Sequence, residues 1–283
     1  MSGVGAPARL AVSNIAWECH DDPAVLDLLR RQGVTGIEVA PPKIWPGWEG
    51  ATPAAARAYR ERLAGEGFAI PALQAILFGK SEPALFGSPL QRTALLDHLS
   101  LVADLAAALG AHAVVFGAPK LRNRGTLPEE AAFAVAVETF AAAGALFAAR
   151  DTTLCFEPNP PQYGCTLGTT SDEAAQLVAA VASPGFCLHL DSAALVMADE
   201  DVPSAVRRHA AAARHAHASE PDLGTFAAPK VDHAGMARAL AEGGYAGWLS
   251  IEMRQAAEDP SAALAQACAV VRAAYAPLLD APA

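Results

Sequence analysis

TTLCFE at 152–157 is a short run of β-branched and apolar residues closed by a carboxylate, the same design returns in GFCLHLD (185–191) and GWLSIE (247–252), and ARHAHAS (213–219) between them carries His217 near its end. Runs this short and apolar read as buried strands. Working outward, the strand candidates are Leu10–Ala16, Thr35–Ala40, Phe68–Leu77, Ala111–Ala118, Thr152–Pro158, Gly185–Asp191, Ala213–Ser219 and Trp248–Met253, eight in all. Helix-like stretches follow them at Pro23–Gln32, Pro53–Glu66, Pro89–Leu109, Pro128–Ala149, Ser171–Ala182, Val202–His209, His233–Glu242 and Pro260–Ala274. Several open on Pro, whose missing N–H costs nothing in a first turn, and Gly33, Gly67, Gly110 and Gly243 stand just past helix ends.

Eight strand-then-helix units in 283 residues predict an α/β fold, a single (β/α)8 TIM barrel forming one domain over 1–283. A doubly wound sheet would carry a Gly-rich phosphate fingerprint after its first strand, and neither G-x-G-x-x-G nor G-x-x-x-x-G-K-[ST] occurs. No linker rich in Pro, Gly or Ser is long enough to separate domains.

Composition narrows the function. The chain is 53% hydrophobic and 18% charged, with a net charge of −10 that repels a phosphate backbone, so no nucleic-acid partner is expected. Five scattered cysteines without a C-x-x-C pair argue against a disulfide framework and a cysteine zinc site. The opening residues show no basic region before an apolar run, so a cytoplasmic location is expected. Ala131–Ala149 imitates a membrane span, but it is alanine-dominated, carries Glu138 and reads better as a buried helix, so no membrane partner is expected. Ala-rich helix surfaces leave room for a homo-oligomer.

In a barrel of this kind the site is built at the C-terminal ends of the strands. Glu157, Asp191, His217 and Glu252 occupy those ends on candidate strands five to eight, at intervals of 34, 26 and 35 residues, each about one βα unit. Singly, each reads as a solvated strand end or a helix cap; four in succession do not. Three clustered carboxylates force one another toward protonation unless a cation neutralises them. An oxygen-rich set with one imidazole suits a divalent metal, Mn²⁺ first and Mg²⁺ or Co²⁺ as alternatives.

GIEVAPPKIWPGW (36–48), VVFGAPKLRNRG (114–125), CFEPNPPQYG (155–164), CLHLDSAAL (187–195), HAHASEP (215–221) and GGYAGWLSIEMR (243–254) together resemble the xylose isomerase-like barrels, a superfamily of sugar isomerases, ketose 3-epimerases, inosose dehydratases and type IV AP endonucleases. The resemblance implies that Glu157, Asp191, His217 and Glu252 hold the metal, and that Glu157 and Glu252 are the catalytic pair moving a proton beside a carbonyl. Two departures argue against a standard hexulose 3-epimerase. Ala194 stands where those enzymes usually carry a histidine, and HASEPDLGTF offers Glu220 and Asp222 in place of an arginine.

Further candidates each have a plainer alternative. Glu38 would contact a substrate hydroxyl or pair with a strand neighbour; Asn159 would bond substrate or form a turn; Glu220 and His233 would border the pocket, though His233 also suits a helix start. Lys120, Arg122 and Arg124 form a basic loop suited to a phosphate or carboxylate, or simply to solvent. His189 and His215 point the same way as the ligands and read as orienting groups or core histidines. Trp17, Trp45, Trp48 and Phe78 would stack on a sugar, close the barrel mouth or fill an interface, and Cys155 and Cys187 read as core.

The expected activity is that of a divalent-metal-dependent isomerase or epimerase on a small polyhydroxylated carbonyl compound, a sugar, sugar acid or cyclitol, through an enediolate. The alternative is a metal-dependent lyase, in which the same enediolate expels a β-hydroxyl. An AP-endonuclease-like phosphodiesterase needs histidines on strands two and three, where Glu38 and Gln74 stand, and a non-catalytic partner subunit would have little use for the four ligands.

Overall fold

Polar residues alternate with apolar ones along the later strands, and this alternation decides which side chains enter the barrel. The computed structural model describes residues 10–280. Its strands are β1 (Leu10–Ser13), β2 (Gly36–Glu38), β3 (Ala72–Leu73), β4 (Ala113–Phe116), β5 (Thr153–Phe156), β6 (Phe186–Asp191), β7 (Ala213–Ser219) and β8 (Trp248–Glu252). All pairings are parallel, in the order β2-β1-β8-β7-β6-β5-β4-β3. Single bridges from Gly36 to Ala69 and from Val39 to Leu73 bring the two ends of the sheet together, giving a nearly closed barrel.

The helices are α1 (Asp22–Arg31), α2 (Pro41–Ile44), α3 (Pro53–Gly65), α4 (Pro89–Leu109), α5 (Glu129–Ala148), α6 (Ser171–Val181), α7 (Ser192–Met197), α8 (Val202–His209), α9 (His233–Glu242) and α10 (Pro260–Leu279). Side chains accept hydrogen bonds from the orphan N–H groups of their first turns. Thr52, Thr170, Asp201 and Asp259 accept from the backbone of α3, α6, α8 and α10, and Ser88 with Gln91 closes a capping box on α4. Two short helices, α2 and α7, were not expected from the sequence. They lie within the βα loops after β2 and β6.

Outward-facing strand residues such as Val12, Ile37, Val114, Phe156, Leu188, Leu249 and Ile251 pack under the helices in one large core. On α5, Phe140 stacks with Phe186 and meets Phe116 and Phe156 edge-on, which anchors the alanine-rich helix to the barrel. Helices α5 and α10 are long and apolar enough to cross a membrane by length and composition alone, and in this fold each lays its buried residues on the barrel. Inward-facing residues at the lower end are small, and Ala72, Ala113 and Cys155 form a separate cluster with Cys187 against it. Above them the interior turns polar, with Ser13, Glu38, His189, His215, His217 and Ser250 all buried.

The third strand departs from its expected span, Phe68–Leu77. Pro71 cannot donate to a ladder, so Ala69 makes a single bridge and the ladder itself is Ala72 and Leu73; at the far end the Gln74 N–H still donates to the Val39 carbonyl, and the chain turns away at Ala75, whose φ is 53°. Residues 74–80 become a loop over the barrel mouth, held by Trp48 Nε1, which donates to the Phe78 carbonyl (3.1 Å), and by a 2.7 Å hydrogen bond between His98 Nε2 and the Ile76 carbonyl.

Candidate metal centre

Strand register brings the polar ends together. Asp191 pairs with His217, and Ser219 with Glu252, so β6, β7 and β8 deliver their terminal side chains to one level, while Glu157 follows directly on β5. His217 Nδ1 is the meeting point: it lies 3.3 Å from Glu252 Oε2, 3.5 Å from Asp191 Oδ2 and 3.9 Å from Glu157 Oε1. This nitrogen is buried and makes no hydrogen bond among the described residues.

The opposite ring nitrogen is committed. Nε2 donates to both carboxylate oxygens of Glu38, at 3.1 Å each. Burial disfavours the Glu38 charge, but the charges of His217 and His215 and their hydrogen bonds outweigh it and hold the carboxyl well below its usual range. A carboxylate behind a histidine fixes which nitrogen carries the proton, an arrangement that turns the other toward a metal.

Asp191 and Glu157 are fixed as firmly. Asp191 Oδ1 caps α7 by accepting from the Ala194 N–H (2.6 Å), and Oδ2 accepts from Ser219 Oγ (2.6 Å). Glu157 Oε2 accepts from Asn159 Nδ2 at 2.7 Å. Gly117, just past β4, leaves the space that the Glu157 carboxylate fills; a Cβ there would collide with Oε2.

Without a cation this cluster is electrostatically strained. Burial, then the charges of Asp191 and Glu252, push the Glu157 carboxyl up to about 8. Burial opposes a charged His217, yet the charges of Glu38 and Glu252, with the Asp191 carboxylate close by, raise it well above the usual histidine range. A proton and a metal ion compete for such donors, so the residues present fit a divalent cation. Glu157, His189, Asp191 and His217 each place one donor atom within 4.8 Å of the others, with Glu252 close on His217. His189 is thereby nearer to the centre than an orienting group, with Nε2 3.8 Å from Glu157 Oε1. A second grouping, Glu38, His215 and His217, lies just beneath.

The cavity over this centre has two lobes that share Pro119, Glu157, Asn159 and Glu252. The smaller, about 330 Å³, is lined by Asp191, Glu220, Asp222 and Arg254; the larger, about 580 Å³, runs beneath residues 74–80 and beside Lys120. A cavity of about 680 Å³ at the opposite mouth, lined in part by His112 and Arg214, has no carboxylate on its wall.

Of the residues read as substrate contacts, Asn159, Glu220 and Lys120 reach this cavity. Glu38, Arg124 and His233 do not line it. Glu38 is enclosed behind His217, across the barrel instead of beside a strand neighbour. Arg124 donates to the Leu127 carbonyl, which turns its guanidinium back onto its own loop. His233 is buried between Glu220 Oε1 (2.9 Å) and the Tyr275 hydroxyl (3.0 Å). Glu220 also accepts from the Lys230 and Val231 N–H groups, so it ties down the 220–233 loop as well as facing the cavity. Arg122 is wholly buried, stacked over Phe156. Trp17, Trp45 and Trp48 are core residues, and Phe78 alone of the four aromatics is exposed.

Sequence reading missed Ser219, although it lies two residues beyond His217 on the same face of β7. It also missed Lys80 and Arg254, which only the courses of their loops bring to the cavity.

A family model described as xylose isomerase-like TIM barrel matches residues 26–274. The chain belongs to this family. No curated protein matches the sequence. Among solved structures, two sugar epimerases and IolI superpose over nearly their whole length. A D-psicose 3-epimerase from Clostridium cellulolyticum H10, crystallised with D-tagatose, has a TM-score of 0.78 at 14% identity, covering 94% of this chain and 99% of its own. An L-ribulose 3-epimerase gives 0.77 at 19% identity, with 95% of each chain covered. IolI, solved with a bound zinc atom, gives 0.72 at 15% identity, covering 96% and 98%. At these identities the likeness establishes the fold, and function rests on the site.

Proposed function

We propose that this chain is a divalent-metal-dependent isomerase or epimerase that moves a proton on the carbon beside the carbonyl of a small sugar, sugar acid or cyclitol, through an enediolate. The observation that carries the reading is His217 Nδ1, buried, without a hydrogen bond and facing Glu157, Asp191 and Glu252 together. The epimerases among the structural neighbours support it.

Glu157, Asp191, His217 and Glu252 would hold the cation, with His189 within reach. When bound it would supply a Lewis acid for the substrate's oxygens, and the oxygen-rich donor set favours Mn²⁺, with Mg²⁺ or Co²⁺ as alternatives. Glu157 and Glu252 line both lobes, and one carboxylate takes the proton from the carbon while the other returns it. Asn159 holds one Glu157 oxygen in place, leaving the other toward the centre.

Two measurements test this. Elemental analysis of chain purified without chelator is expected to give about one divalent cation per chain, and none in the Glu157→Ala, Asp191→Ala double variant. Incubation of ketoses and inososes in D₂O is expected to return label beside the carbonyl, and Glu157→Gln to abolish it. Absence of metal after Mn²⁺ is supplied overturns the reading, and an unsaturated or deoxy product turns it to the lyase.

A further inference from the structure

We propose that the substrate carries an anionic group, a phosphate or a carboxylate, seated in the larger lobe by Lys80 and Lys120. This rests on the reading above, because the reacting end of the same molecule would lie at Glu157 and Glu252, where the two lobes join.

Charge is divided between the lobes. The smaller adds Asp191, Glu220 and Asp222 to the shared carboxylates, against Arg254 alone. The larger adds no carboxylate and two lysines. The chain has only four lysines, at 43, 80, 120 and 230, and carries a net charge of −10, so half of its lysines stand on the wall of one lobe. Lys43 is paired with Glu18 at 3.0 Å, whereas neither Lys80 nor Lys120 lies within ion-pair distance of a carboxylate among the described residues.

The two ammonium groups come from adjacent loops, after β3 and β4. Lys80 sits 5.6 Å from the centre of the Trp48 ring, and that tryptophan also holds the loop through the Phe78 carbonyl. The rest of the lobe offers little to a polyol. Ile76, Leu77, Val115 and Leu121 form its sides, and Gln74 Nε2 donates to Ser13 Oγ at 2.6 Å. Apolar walls ending in cations strengthen attraction for an anion and reward hydroxyl groups poorly. A lysine acts there as a point charge and suits phosphate and carboxylate alike.

The test is calorimetric binding of three ketoses that share a six-carbon frame, D-fructose, D-fructose 6-phosphate and D-fructuronate, to the full chain supplied with Mn²⁺ at low salt. At least one anionic ketose is expected to bind about tenfold or more tightly than D-fructose, and the ratio to fall to about one in Lys80→Gln, Lys120→Gln. Whichever anion gains more identifies phosphate or carboxylate. No preference for either anion, a failure of all three to bind, or a preference that survives in the double variant overturns the proposal. Elemental analysis on the same samples keeps the two readings apart. Metal retained without anion preference sinks the lysine assignment and leaves the proton-transfer reading standing; lysine-dependent anion preference in a chain that takes up no metal does the reverse.

Discussion

His217 and Glu38, 179 residues apart, share two hydrogen bonds of 3.1 Å inside the barrel, and the pairing aims the unbonded Nδ1 at three carboxylates. Glu38→Gln keeps an acceptor for Nε2 but loses the charge, and Glu38→Ala loses both. Divalent-metal affinity is expected to fall in the order wild type, Gln, Ala, by roughly 10–100-fold for the last. Metal titration with a competing chelator measures it, and equal affinities in all three would show that Glu38 does not orient His217.

Gly117 sits against Glu157 so closely that an added methyl group would displace the carboxylate while leaving β4 and β5 paired. Gly117→Ala is therefore expected to keep the circular dichroism and cooperative melting of wild type yet weaken metal binding about tenfold or more. Normal metal binding in a folded Gly117→Ala protein would mean that the Glu157 carboxylate is not needed where it stands.

The barrel was legible because its strands alternate by side: LHLD and HAHAS put polar residues inward and apolar ones under the helices, and four strand ends fell one βα unit apart. Asp191, His217 and Glu252 could be placed at one level for the same reason. The Glu38 pairing could not be read, since β2 and β7 approach only across the closed barrel and nothing local to either marks the other. Lys80 was hidden by the third strand. Its expected continuation to Leu77 would carry residues 74–77 along the sheet, whereas the chain turns out of the sheet at Ala75, and Trp48 and His98 hold the released loop over the cavity.

Tyr275 on α10 completes a buried chain that runs through His233 to Glu220. With Nε2–H donating to Glu220, His233 Nδ1 accepts from the Tyr275 hydroxyl, and Tyr275→Phe leaves that nitrogen buried without a donor. The cost is expected to be about 1–3 kcal/mol. Thermal melting would register it as a Tm lower by a few degrees, with metal content unchanged because no proposed ligand is touched. An unaltered Tm would show that the hydroxyl contributes nothing to holding α9 and α10 together.

His98 provides the pH dependence. It is buried edge-on to Trp48 and hydrogen-bonded to the Ile76 carbonyl, and burial holds its pKa below the ordinary 6.5 despite that bond and with Lys80 adding to the depression. The folded chain thus keeps His98 neutral where the unfolded chain has begun to protonate it. Unfolding takes up a proton in that range, so the stability from this residue is fully present above about pH 6.5 and is lost as the pH falls through the folded value. In His98→Gln, which can still donate to Ile76 but does not titrate, the fall in Tm between pH 7 and 5 is expected to be smaller than in wild type. Parallel Tm profiles for the two proteins would remove His98 as a source of acid sensitivity.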